Sequence, residues 1–185
     1  MTRLQKMAAV SAAIVVACAS IPLALGADDA KSSDAKAAAA KIEVTNKSFK
    51  CLAKMTKVKH FYVDNLLGNV EATVKVAKSE KGGDYPPGSV VQLVPGEVMV
   101  KHKPGYNAAT RDWEFFELNA TAEGTTIGKR GFVDVVNRFG GNCFSCHVQA
   151  KPEYDLICEA DHGCKPIPVT REQIAKIQET DPRCK

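Results

Sequence analysis

The sequence predicts an α+β protein, mainly an antiparallel β-sheet with packed helices. Residues 89–94 and 97–102 are β-rich runs separated by Pro95-Gly96, a hairpin signal. Residues 113–118 form another such run, and Asp112-Trp113-Glu114-Phe115 alternates charge with aromatic rings. Leu67, Val70, Val74 and Ala77 instead recur at helical spacing, so helix interrupts the strands.

The chain opens on a targeting pattern. Arg3 and Lys6 precede an apolar run over 7–25, and Ala24-Leu25-Gly26 supplies small residues, so residues 1–26 read as a secretory signal peptide cut after Gly26. Val15-Val16-Ala17-Cys18 resembles a lipoprotein cleavage box. The apolar run continues past Cys18 through Ile21-Pro22-Leu23-Ala24-Leu25, which favours Gly26 over lipid anchoring at Cys18. Asp28-Asp29 follows in place of a basic stop-transfer flank, so no stable membrane span is expected and the periplasm is the expected compartment. Residues 27–44, rich in Ala, Lys, Asp and Ser, read as a flexible tether. That leaves 45–185 as a single domain, long enough to bury a core.

Within that domain, 58–63 is a strand candidate, after which Asp64 is placed to cap the helix carrying Leu67 to Ala77. Gly82-Gly83 stops the helix and Pro86-Pro87-Gly88 makes a turn into the hairpin. Beyond the Trp113 strand, Phe132, Val135, Val136 and Phe139 return to helical spacing, and Gly140-Gly141 ends that helix.

Cys143-Phe144-Ser145-Cys146-His147 carries the chemistry. Two cysteines three positions apart can each add to a vinyl group of one haem, and a histidine directly after the second is held as the axial ligand of the iron. Cys143 and Cys146 are therefore the expected attachment points of one covalent haem c, and His147 the proximal iron ligand. A redox-active dithiol would need a βαβ setting that this chain lacks. A zinc site would need a fourth ligand, usually from a second pair. A Cys143–Cys146 disulfide would close a very short loop.

With Cys18 removed and two cysteines given to haem, Cys51, Cys158, Cys164 and Cys184 remain as an even set in an oxidising compartment. Three connectivities are open; the short loop between Cys158 and Cys164 favours that pair, leaving Cys51 with Cys184. The formal charge of +4 falls to about +2 without Arg3 and Lys6, which argues for no nucleic-acid partner.

The order of Phe61-Tyr62-Val63-Asp64, a helix, Pro87-Gly88-Ser89-Val90-Val91, Asp112-Trp113-Glu114-Phe115, the 143–147 motif and Asp155-Leu156-Ile157 resembles the cytochrome P-460 family and its cytochrome c′-beta relatives. The resemblance covers most of residues 55–158. It implies a mainly β domain holding one haem through His147. Members of that family that oxidise hydroxylamine cross-link a strand lysine to the porphyrin. The matching position here falls on Leu93, or on Gln92 with a one-residue slip, and Lys101 lies in the next strand. If Val91 and Leu93 face the haem, the distal pocket is apolar and suits small neutral gases such as NO and CO. Met99 or His102 could close the sixth position instead, favouring electron transfer with a redox partner protein. His60, His162 and His102 read as sheet, loop and hairpin-end residues respectively. Trp113, Phe115, Phe116 and Phe132 read as core or haem-packing residues. Asp155 is open to a propionate or a backbone turn. Three functions are weighed: a monohaem c-type cytochrome acting in electron transfer or small-gas binding, a periplasmic oxidoreductase acting on hydroxylamine or a related small nitrogen species, and a disulfide-stabilised interaction protein without haem.

Overall fold

A computed structural model describes residues 36, 38–138 and 140–184. The expected signal peptide, Cys18, most of the tether and Phe139 lie outside the described residues. Among the described residues no helix is long and apolar enough to cross a membrane.

Six strands form one antiparallel meander in chain order: β1 Thr56–Val58, β2 Phe61–Asn65, β3 Ser89–Val94, β4 Glu97–Lys101, β5 Trp113–Thr121 and β6 Gly124–Gly131. Among the described residues, the α-helices with full bounds are α1 Val70–Lys78, α2 Cys143–His147 and α3 Arg171–Glu179. The α+β class and the Pro95-Gly96 hairpin are as expected.

Several local expectations are corrected. The single strand over 58–63 is two strands, because Lys59 adopts φ 51° and turns the chain at Lys59-His60. Asp64 stays in β2 and pairs with Lys50. Asn65 organises the entry to α1 instead, its Oδ1 accepting from Leu67 N at 2.8 Å and Asn69 N at 3.2 Å. The helix expected over 132–139 does not form where the chain is described. The Asn142 side chain donates to the carbonyls of Phe132, Val133 and Val135, the acceptors a helix would need, and Val136 bridges to Asn142. Ala40, Ile42 and Val44, at the end of the expected tether, are buried, so the packed domain begins ahead of residue 45.

Alternation along the strands divides the sheet into two faces. Val63, Val91, Met99 and Phe115 are successive cross-strand partners and floor one face, together with Trp113. Val90, Val98, Val100, Phe116 and Leu118 point to the other, covered by Val44 and Phe49. Cys51–Cys184 and Cys158–Cys164 are both bonded, the pairing the loop lengths favoured.

Candidate functional site

Asn142 builds the start of the cysteine motif. Its Oδ1 accepts from Ser145 N at 2.8 Å, capping α2, while its amide nitrogen ties α2 to the 132–135 segment. One helical turn therefore carries Cys143, Cys146 and His147 to the rim of a cavity of about 520 Å³, within the size range of ligand and cofactor sites. Val91, Leu93, Met99 and Phe115 line it from the sheet, and Ile157, Ile174 and Ile177 from the C-terminal segment.

Cys143 and Cys146 remain free thiols while the other described cysteines pair. Burial, with Glu97 and Cys146 close by, pushes the Cys143 thiol up to about 12. A thiol so reluctant to ionise is poorly suited to disulfide exchange, which needs the thiolate.

His147 is oriented from behind. Its Nδ1 donates to the Leu156 carbonyl at 2.6 Å, and its ring meets Phe115 edge-on at 5.3 Å. With Nδ1 fixed as the N–H, Nε2 keeps the lone pair. Burial lowers the His147 pKa, against the opposing pull of that hydrogen bond, and so favours the neutral, ligating form.

The Leu156 carbonyl is held by an unusual backbone. Asp155 and Leu156 are consecutive non-glycine residues with φ 49° and 64°. Such left-handed residues cost on the order of 1–2 kcal/mol each and persist only where their surroundings enforce them. Asp155 is completely buried. Its carboxylate accepts from Lys101 Nζ at 2.8 and 2.9 Å and from Tyr85 N at 2.9 Å, and its carbonyl accepts from Trp113 Nε1 at 2.9 Å. Burial raises the Asp155 carboxyl, against the pull of Lys101.

The structure brings together Cys143, Cys146, His147, Val91, Leu93 and Met99, and sets other residues apart. Gln92 turns to the opposite face, donating to the carbonyls of Val94 and Pro95 across its own hairpin. Lys101 is committed to Asp155 and Arg111. His102 is no solvated hairpin end; it is fully buried on the closed face, accepting from Ile42 N and donating to Glu114. Phe116 joins it there, away from the cavity. His162 stacks on Tyr154 at 3.6 Å and donates through Nδ1 to Ile157 O. His60 occupies the β1–β2 turn at the cavity rim, beside Glu159 and Arg171.

Sequence reading missed the contribution of α3. Thr170 and Gln173 form a reciprocal capping box there, a signature visible in the Thr-x-x-Gln spacing. Gln178 then pins the helix by donating to His60 O and Leu93 O, both at 2.7 Å. The disulfide cysteines Cys158 and Cys164, assigned only a structural role, also line the cavity.

None of the family models, curated proteins or solved structures compared with this chain matches it. The donor set itself fits a covalent haem: two free thiols and one neutral imidazole on a single helical turn, at the edge of an apolar cavity of cofactor size.

Proposed function

We propose that this chain is an exported, P-460-like monohaem c-type cytochrome that binds small neutral gases such as NO and CO at its iron. Cys143 and Cys146 would hold the haem covalently, and His147 would ligate the iron through Nε2. The haem would supply the redox-active, ligand-binding metal. The observation that carries the reading is the coincidence of free Cys143 and Cys146 with an imidazole whose Nδ1 is already committed to Leu156 O.

The chain's own residues suit that chemistry. Val91 and Leu93 give an apolar wall without hydrogen-bond donors, which favours neutral diatomics over anions. Leu156 fixes the imidazole tautomer. The α3 residues Ile174 and Ile177 extend the apolar wall.

Met99 supports a second reading. It is buried in the cavity floor, where a thioether ligand would raise the reduction potential and make the protein an electron carrier. The hydroxylamine reading is weaker, because the strand positions suggested for a cross-linking lysine hold Leu93 and Gln92, and Lys101 is paired with Asp155.

The test is the visible spectrum of the ferrous protein, produced with the c-type maturation machinery, before and after CO. A broad high-spin spectrum that CO shifts supports gas binding. A sharp α band unmoved by CO favours Met99 ligation and electron transfer.

A further inference from the structure

Lys101, Asp155 and Trp113 take no part in the cavity lining, yet they converge on the one backbone segment that orients His147. Lys101 is 8 % exposed, and its ammonium meets three oxygens: both Asp155 carboxylate oxygens at 2.8 and 2.9 Å and the Arg111 carbonyl at 2.6 Å. Trp113, wholly buried, donates its indole N–H to the Asp155 carbonyl, and Lys101 lies 5.2 Å from its ring. Tyr85 N–H and the Arg111 Nε, 3.4 Å from Oδ1, complete the hold on the Asp155 carboxylate. Every polar atom of Asp155 that can accept is engaged, and the next residue presents its carbonyl to His147 Nδ1 at 2.6 Å. Two consecutive left-handed, non-glycine residues need such a clamp.

From this geometry we infer that the Lys101–Asp155–Trp113 cluster is a positioning device that sets the strength of the His147–Leu156 hydrogen bond and so tunes the reduction potential of the iron. The inference rests on the haem reading above. A strong bond at Nδ1 makes the imidazole a more basic ligand and stabilises the ferric state. Releasing the clamp loosens the bond and favours the ferrous state. Lys101 of β4 and Trp113 of β5 thus act on the iron only indirectly, through Asp155 and the carbonyl of the following residue.

The test is potentiometric titration of the holoprotein against the Lys101→Met/Asp155→Asn double variant, which removes the pair without changing net charge. Haem content is read in parallel from the pyridine haemochrome. The expected result is full haem content with the midpoint raised by at least a threefold change in the oxidised-to-reduced ratio, about 28 mV for one electron. Trp113→Phe, which deletes a single donor, should shift the midpoint the same way by less, and serves as the deciding variant if the double one does not fold. Lys101→Arg, which keeps the charge and the donors, should restore a potential near the parent's. Haem-loaded variants with an unchanged midpoint would overturn the positioning role while leaving the haem reading intact. A parent protein without haem would overturn both.

Discussion

The two faces of the sheet are made by alternate residues of the same strands, yet they are finished differently. On one, Val91, Leu93, Met99 and Phe115 floor a cavity that α2 and the C-terminal segment roof without filling. On the other, Val90, Val98, Val100 and Phe116 close under Val44 and Phe49, and Phe49 packs on Phe116 at 5.4 Å. Buried polar groups lie on both faces, and on the open one Lys101 and Asp155 are paired behind the cavity. The closed face carries His102, Glu114 and Arg130 as a mutually satisfied triad, with Arg130 donating to both Glu114 oxygens at 2.7 and 2.8 Å. The open face keeps free thiols and a neutral imidazole beside space. A period of two along a strand thus lets one sheet carry chemistry on one side and stability on the other.

Substitutions should separate the faces, most sharply at the motif. Cys143→Ser/Cys146→Ser should abolish covalent haem, seen as loss of haem staining on a denaturing gel. Phe116→Ala should keep the stain and cost about 3–5 kcal/mol in denaturant titration. Loss of covalent haem in folded Phe116→Ala would break the division.

The disulfides sharpen it next. Cys51–Cys184 closes a sequence separation of 133 and Cys158–Cys164 one of 6. Chain-entropy arguments give about 5 and about 2 kcal/mol respectively. Cys51→Ala/Cys184→Ala should therefore lower the melting temperature more, whereas Cys158→Ala/Cys164→Ala should act mainly on the haem spectrum, since that bridge lines the cavity.

Acid should strike the closed face. Burial alone would raise the Glu114 carboxyl, but hydrogen bonds from His102 and Arg130 and the positive charge of Arg130 hold it at about 2, below its ordinary 4.5. The folded value being the lower one, this stabilisation is fully present above about pH 4.5 and is lost as pH falls toward 2. Glu114→Gln should flatten that part of the pH–stability curve, measured by denaturant titration from pH 6 to 2. The smallest effect belongs to the cavity wall. Leu93→Gln should change stability by about 1 kcal/mol or less, at a half-buried site, yet shift the C–O stretch of the CO adduct by adding a donor.

Much of this division could be read from the sequence, because it rests on local signals. Pro95-Gly96 marks the hairpin, and alternation along β3 sends Val91 and Leu93 to one face and Gln92 to the other, although a bulge between Gln92 and Val94 shifts the pairing by one residue. The motif and the short Cys158–Cys164 loop are likewise self-contained. What escaped depends on contacts distant in sequence. His102 looks solvated beside Lys101 and Lys103 until Ile42, sixty positions earlier, donates to its ring. Phe132, Val135 and Val136 have helical spacing, but Asn142 claims the carbonyls a helix would use. Nothing in the Lys101-His102-Lys103 run signals that Asp155, 54 positions later, pairs with Lys101 inside the core. Strand β6 and helix α3 were the avoidable omissions, since Thr125-Thr126-Ile127 is β-branched throughout and Thr170 with Gln173 spells a capping box.

The most direct test of the central claim is the intact mass of the denatured protein after expression with the c-type maturation machinery, followed by peptide mapping. The expected mass is that of the polypeptide plus one haem, carried on the peptide that contains Cys143 and Cys146. A polypeptide mass with no haem, and with both thiols free to alkylation, would contradict it.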